Sequence, residues 1–447
     1  MNNLGWSRMS SRLLEEPTAK YTSRRSTSSL TNTSQKAHVV NVIVIEVGER
    51  LTRIGFAGEF CPREIFKTEY VDSLRPSITH KLIDKNRDPE SQNKIIGNFF
   101  KDITLRRLMK SANGLNVVIV DNLLSSYEFR DACGRALFEN PSLGAAGVCY
   151  VPSPLMQLVS YNVKTALVVD LGIKEALVTP VYERVVMGVN SKVTTLSTLV
   201  AEKKVRGLMR KMGRVRNIDG DLRELSEEDM IVFDKKGLAE DILFRFCFAT
   251  KRERGLKIQE KGLDPDCEID PPPPDVKIPY GSEYMVIPGL IREAAAEVLF
   301  ITTEDGLSLQ DTIIECIRGL NIDLKRPMLN GILVVGGLSM MKGLLHRLEE
   351  ELLVLIENDE KLRTIGEVGF YRETDQPSLN FYSAWLGASL FGSLDAISSR
   401  LITRNEWNKT KHIPDWTDLT ENDEITIEDD CKVSEITVDL PWESLKV

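Results

Sequence analysis

The sequence predicts an α/β protein of two lobes built on an internal repeat, and three observations lead there. A chain of 447 residues exceeds what a single hydrophobic core comfortably serves, so two units are expected. Apolar runs rich in β-branched residues are interleaved with helical patterns, the order that gives sheets covered by helices. One unit also occurs twice: a buried run, an acid, one residue, a glycine and a second run. It reads Glu46-Val47-Gly48 early in the chain and Asp170-Leu171-Gly172 later, and the repetition predicts an internally duplicated fold.

The bulk numbers narrow the function. The chain is 42% apolar and 28% charged, the balance of a soluble globular protein. No apolar run approaches the roughly 20 residues that cross a bilayer, so no membrane insertion is expected. A formal charge of −9 argues against nucleic acid as a partner, because such binders present a basic face. Cys61, Cys133, Cys149, Cys247, Cys267, Cys316 and Cys431 are scattered and include no CxxC pair. That fits reduced thiols in the cytoplasm better than a disulfide frame. His38, His80, His346 and His412 are far apart in sequence, so no metal site is expected.

Residues 1–36 are rich in Ser, Thr, Asn and Arg and cannot bury enough apolar surface to offset ordering, so a disordered tail is expected. A mitochondrial transit peptide is the weaker reading, because no amphipathic face runs through the segment. Arg24-Arg25-Ser26 has a basophilic phosphorylation pattern. From Val39 to Ile45 a strand run leads into Glu46-Val47-Gly48 and resumes through Ile54 and Phe56, which predicts a tight hairpin. Such a turn aims backbone N–H groups outward and suits phosphate. Glu46 and Glu49 oppose that role, with Arg53 the cation weighed against them.

A polar region from Lys67 to Gln92 precedes a helical pattern over Asn93 to Met109. A strand is expected over Leu115 to Val120, then a helix capped by Ser126. Gly147 to Val151 predicts another strand, and Pro152 and Pro154 start a helix over Leu155 to Tyr161. The second hairpin runs from Thr165 through Asp170 and Gly172 to Val181. Residues 197–251 are expected to be helical around a charged loop at about 214–229. Asp264 to Gly281 is expected to be a loop with a polyproline-like run, Pro271 to Pro274, of the kind that usually bridges elements. Helices are expected over Leu290 to Phe300, Leu309 to Leu320 and Leu344 to Ile356. The strand Gly331 to Val335 leads into Gly336-Gly337, where paired glycines allow close backbone approach. Tyr382 to Leu394 interleaves small and large residues, as a closely packed helix does.

These pieces resemble the actin family, within the fold shared by actin, Hsp70 and sugar kinases. Phe56-Ala57-Gly58 within Ile54 to Pro62 is similar to the family's first phosphate motif. Asp170 to Tyr182, with Asp170, Gly172, Pro180 and Tyr182 in register, is similar to the second. Gly336-Gly337 through Gly343, including Met340 and Met341, resembles the adenosine motif. Trp385-Leu386-Gly387 resembles the return helix, and Leu401 to Trp407 the C-terminal helix. The likeness spans about Val39 to Lys411. It implies a tail over 1–36 and a first lobe over 37–162, with a shortened pointed-end subdomain at about 66–116. A second lobe over 163–378, a return to the first lobe over 379–420 and an acidic tail over 421–447 complete it.

The resemblance implies a nucleotide site for ATP or ADP with Mg²⁺, made by Glu46, Gly48, Glu49, Arg53, Asp170, Gly172, Gly336, Gly337, Met340 and Met341. Against the family pattern the site is degenerate. Glu46 replaces an aspartate, Glu49 a phosphate-binding serine and Arg53 a lysine. A carboxylate about 4 Å from a phosphate charge is repelled by several kcal/mol at intermediate dielectric. Either Glu49 points away, or binding weakens, or the metal rearranges. Lys174 and Glu175 stand where the family has small residues. Leu243, Phe244 and Phe381 replace groups around the purine. The water-positioning glutamine falls on Leu155, and Gln157 is expected to face elsewhere, so hydrolysis should be very slow or absent.

Within the family the strongest likeness is to the divergent branch at the pointed end of dynactin. Its markers are Glu49, Arg254-Gly255-Leu256-Lys257-Ile258-Gln259, the proline run and Ile413-Pro414-Asp415-Trp416. It implies a non-catalytic subunit that caps the actin-like filament. Its partners would be the filament's actin-related protein and actin, other pointed-end subunits and, indirectly, dynein, in cytoplasmic cargo transport. The alternative is an ATP-dependent actin-like protein, a filament former or a chromatin-remodelling subunit.

Overall fold

Buried β-branched runs become the strands of two sheets that follow one plan. The computed structural model describes residues 42–71, 79–82, 84, 86–261, 271–304, 306–365, 367–371 and 379–414. The expectations for the 1–36 tail, Arg24-Arg25-Ser26, His38, Cys267, Cys431, Trp416 and the acidic C-terminal stretch lie outside them. In chain order the strands are β1 (Val42–Val47), β2 (Leu51–Phe56), β3 (Glu64–Lys67), β4 (Glu69–Val71), β5 (Thr79–Lys81) and β6 (Asn116–Asp121). There follow β7 (Gly147–Pro152), β8 (Ala166–Leu171), β9 (Ala176–Tyr182), β10 (Val185–Val186), β11 (Lys192–Thr194), β12 (Arg214–Arg216) and β13 (Leu222–Glu224). The last are β14 (Val276–Tyr280), β15 (Glu283–Ile287), β16 (Ile332–Gly336) and β17 (Ile402–Thr403).

The first sheet has the order β17-β7-β6-β1-β2-β3, and the second has β10-β9-β8-β16 with β11 added along β9. In the first, β1 pairs antiparallel with β2 and parallel with β6. In the second, β8 pairs antiparallel with β9 and parallel with β16. The same three-strand arrangement thus opens each lobe. β1, β6 and β8 are buried on both faces, which is why they read as continuous apolar runs rather than alternating ones.

Local signals place the helices that cover these sheets. Asp88 caps Pro89–Lys101 by accepting from Ser91 N, and Ile96, Phe99 and Phe100 are its buried stripe. The expected single helix to Met109 instead passes into a π-helical stretch, Asp102–Arg107. Ser126 caps Tyr127–Glu139 as its side chain accepts from Phe129 N. Pro154 sits in the first turn of Ser153–Ser160, where its missing N–H costs nothing.

Leu379–Gly392 crosses from one lobe to the other, packing on Ser153–Ser160 and on β1, β6 and β16. A Cβ on Gly387 would lie 1.8 Å from Met156 O, so only glycine permits this approach. Trp385, fully buried, donates its indole N–H to Val44 O at 3.2 Å.

The charged loop expected at 214–229 is a correction. It holds β12 and β13, which join β15 and β14 in a four-stranded sheet. Three-residue strands carry too little periodicity to be read from sequence. The proline run is exposed except at Pro273 and lies along the next helix, Gly289–Glu297. Arg292 Nη1 donates to Pro274 O at 2.8 Å, and a Cβ on Gly289 would fall 1.5 Å from Pro273 O. The run bridges elements.

Candidate functional site

The two acid–x–glycine turns face each other across the cleft. Gly48 N donates to Leu51 O at 3.0 Å. A Cβ on Gly48 would lie 2.7 Å from Leu51 O, and one on Gly172 would lie 2.7 Å from Glu175 O. Both glycines are therefore required by the turn itself. The first turn is also pinned to its own lobe, as Thr68 N donates to Arg50 O at 2.9 Å and Thr68 Oγ1 donates to Gly48 O at 2.7 Å.

Four side chains meet on the cleft floor. Strand register sets Glu46 opposite Arg53, and Arg53 Nη1 donates to Glu46 Oε1 at 2.5 Å. The Arg53 guanidinium also lies 4.6 Å from the Phe381 ring centre, a cation–π contact. Gln157 Nε2 donates to Asp170 Oδ2 at 2.9 Å. This corrects the expectation that Gln157 turns away from the cleft. The helix begins at Ser153, two residues ahead of the expected start, and Gln157 sits one turn in, on the face that meets Asp170. Glu46 Oε2 and Gln157 Oε1 are buried with no hydrogen-bond partner among the described residues.

Burial raises the Glu46 carboxyl above its ordinary value; the Arg53 charge opposes that, and Asp170 adds to it. Burial also raises Asp170, against the Gln157 bond and the Arg53 charge. The folded state then holds the Asp170 proton to a higher pH than the unfolded chain does. Stability therefore falls as pH rises from the unfolded value, about 4, through the raised one. Asp170→Asn keeps an acceptor for Gln157 and removes the buried charge. It is expected to raise the urea midpoint at pH 7, with the difference from wild type closing toward pH 4. A lower midpoint at pH 7 would contradict this assignment.

At the mouth of the cleft Glu49 pairs with Lys174 of the opposite turn. Burial raises Glu175 next to it, with the Glu49 charge second. Arg50, which sequence reasoning passed over, reaches across to two second-lobe helices. Its Nη1 and Nη2 donate to Glu202 at 2.5 and 3.0 Å, and Nη1 lies 2.9 Å from Glu240 Oε1. Burial opposes the Arg50 charge, but the Glu202 and Glu240 carboxylates outweigh it and raise the guanidinium further. The only local signal for this was a second cation inside a phosphate-type turn. Glu202 and Glu240 lie about 150 and 190 residues away in sequence, where no local pattern could link them to it.

Gly336 and Gly337 line the cleft. Gly336 has φ of +90°, and a Cβ there would meet Leu171 O at 2.5 Å and Asp170 Oδ1 at 2.9 Å. Met340 and Met341, named with them from sequence, do not line the cleft. Met341 is buried in the second-lobe core, because a 3-10 turn over Gly337–Met340 swings the chain inward. Phe244 and Phe381 are lining residues, whereas Leu243 is core.

The fit to a nucleotide divides along the cleft. The unpartnered oxygens of Glu46 and Gln157, with Asp170, form an oxygen set that suits water or a hard cation. Among the described residues no three His, Cys, Asp or Glu side chains come together for a metal. At the phosphate end the fit is poor. The turns are bridged by Glu49 and Lys174, and the cavity of about 160 Å³ is below the roughly 300–1,000 Å³ usual for small-molecule sites.

Two lobes, each opening on a strand–acid–x–glycine–strand turn that faces the other, define the phosphate-clamp class of α/β fold. A family profile described as Actin matches residues 37–412, and the chain belongs to the actin family. Actin-related protein 10 of Dictyostelium discoideum is 23% identical over 448 residues, covering 85% of this chain and 89% of the relative. Actin-like protein 7A of Mus musculus is 24% identical over 410 residues, covering 86% and 84%. Actin-related protein 4 of Yarrowia lipolytica is 20% identical over 416 residues, covering 83% and 94%. Among the described residues no helix is long and apolar enough to cross a membrane.

Proposed function

We propose that this chain is a non-catalytic structural actin-related subunit that caps the pointed end of dynactin's actin-like filament in the cytoplasm. There it supports dynein-driven transport and cargo attachment. The observation that carries the non-catalytic part is the cross-cleft pairing of Glu49 and Lys174, which puts the chain's own charges where a nucleotide's phosphates would bind. The loss of a water-positioning glutamine no longer supports it, because Gln157 reaches Asp170.

The capping part is supported by the likeness of Arg254 to Gln259 and of the proline run to the pointed-end branch. The short segment between β3 and β6 also supports it: a subunit lacking the usual pointed-end grip joins a filament end and offers no normal site beyond it. The filament's actin-related protein and actin, with other pointed-end subunits, would be its direct partners, and ATP or ADP with Mg²⁺ would bind weakly.

Gln157 beside Asp170 favours a second reading, an ATP-dependent actin-like protein that forms filaments or serves a chromatin-remodelling complex. Phosphate release decides between them. The purified chain with Mg·ATP is expected to release phosphate no faster than buffer, and sustained turnover would favour the second reading.

A further inference from the structure

We propose that the turn Gly48–Leu51 is an ionic latch that holds the two lobes closed with no ligand in the cleft. Three second-lobe elements are tied to this one turn. Glu49 pairs with Lys174 on the facing turn. Arg50 hydrogen-bonds Glu202 on the helix Thr198–Met212 through two nitrogens and lies at ion-pair distance from Glu240 on the helix Leu238–Phe246.

The two parts of the latch differ in strength. The Lys174 and Glu49 side chains are 57% and 43% exposed, so water and salt screen that pair. The Arg50, Glu202 and Glu240 side chains are only 22%, 12% and 17% exposed. A fork-to-carboxylate contact in such a place is directional and poorly screened. Arg50 is the main bolt.

A latch works only between rigid bodies, and both ends meet that condition. On the first-lobe side Thr68 bonds the carbonyls of Gly48 and Arg50 and pairs with Thr52 Oγ1 at 2.8 Å. On the second-lobe side both acidic helices are set in one core through Ala201, Val205, Ile242 and Leu243. The lobes join where Leu379–Gly392 packs on Ser153–Ser160, and the latch adds a second tie across the cleft. Opening the cleft must therefore break the Arg50 contacts and leave partly buried charges unpaired, which is costly.

The latch is independent of the capping proposal, since it concerns only how the lobes are held. It makes lobe closure a property of the chain rather than of a bound nucleotide. Hydrogen exchange on the full chain tests it, read at peptides covering Gly48–Leu51 and Gly172–Glu175, with β16 as the internal standard. Wild type is expected to be protected at both turns without ligand and unchanged by Mg·ATP. Arg50→Gln is expected to exchange at least about tenfold faster at both turns while β16 stays protected. If Arg50→Gln fails to fold, the Glu202→Gln/Glu240→Gln double variant supplies the same readout from the other lobe. Unchanged exchange in the folded variant, or wild-type turns that become protected only with Mg·ATP, would overturn the latch. Phosphate release is a separate measurement, so failure of the latch and failure of the non-catalytic reading are distinguishable.

Discussion

Arg347→Met is expected to lower folding stability by about 3–5 kcal/mol, the cost of removing one partner from a buried ion pair. Arg347 is wholly buried. Its Nη1 and Nη2 donate to Glu297, each at 2.9 Å, its Nε to Glu351 at 2.9 Å and its Nη1 to Thr250 O at 3.1 Å. The guanidinium lies 4.5 Å from the Phe300 ring centre. Gly255 passes directly beneath, where a Cβ would fall 2.1 Å from Arg347 Nη1. Methionine fills the volume but leaves Glu297 and Glu351 as buried carboxylates without their cation. Guanidinium unfolding measures the loss. Adding Glu297→Gln is expected to recover part of it, because the uncompensated charge is the larger cost.

Gly387→Val is expected to cost about 3 kcal/mol or more, at the upper end for overpacking. The obstacle is the Met156 carbonyl, 1.8 Å from the new Cβ, and a backbone atom cannot rotate away as a side chain would. The damage reaches beyond one helix, because Leu379–Gly392 also carries Trp385 against β1 and Phe391 against the first-lobe core. Thermal unfolding measures it, and a variant with wild-type stability would mean the two helices slide apart without penalty.

Much of the fold was legible because its strands are buried on both faces and punctuated by glycine. The two hairpins, the cap at Ser126 and the close approach at Gly387 all left local signals, whereas the cap at Asp88 fell in a stretch read as polar and its helix starts four residues before the expected Asn93. What escaped were features made by distant residues. The segment Arg254 to Gln259 marked a family likeness, yet its work is packing and charge: Arg254 pairs with Glu293 at 2.7 and 2.8 Å, Gly255 makes room for Arg347, and Gln259 donates to Glu297 at 2.8 Å. No spacing within the segment announces those partners.

The site was legible in the same uneven way. Glu46, Gly48, Glu49, Arg53, Asp170, Gly172, Gly336 and Gly337 do line one cleft, as motif order implied. Gln157 was misplaced because the helix starts at Ser153, two residues before the expected Leu155, and Met340 and Met341 because of a 3-10 turn. The meaning of Glu49 also changed. Sequence left open whether it points away, weakens phosphate binding or rearranges the metal, whereas its side chain bridges the cleft to Lys174.

As proposed above, this actin-family chain serves as an architectural subunit at a filament end, with its cleft held by its own charges. Affinity capture of the full chain from cells, followed by identification of its stoichiometric partners, tests that most directly. Recovery of the dynactin filament and its pointed-end subunits, undiminished when ATP is depleted, is the expected result. Recovery of chromatin-remodelling subunits, or of a homopolymer that forms only with ATP, would contradict it.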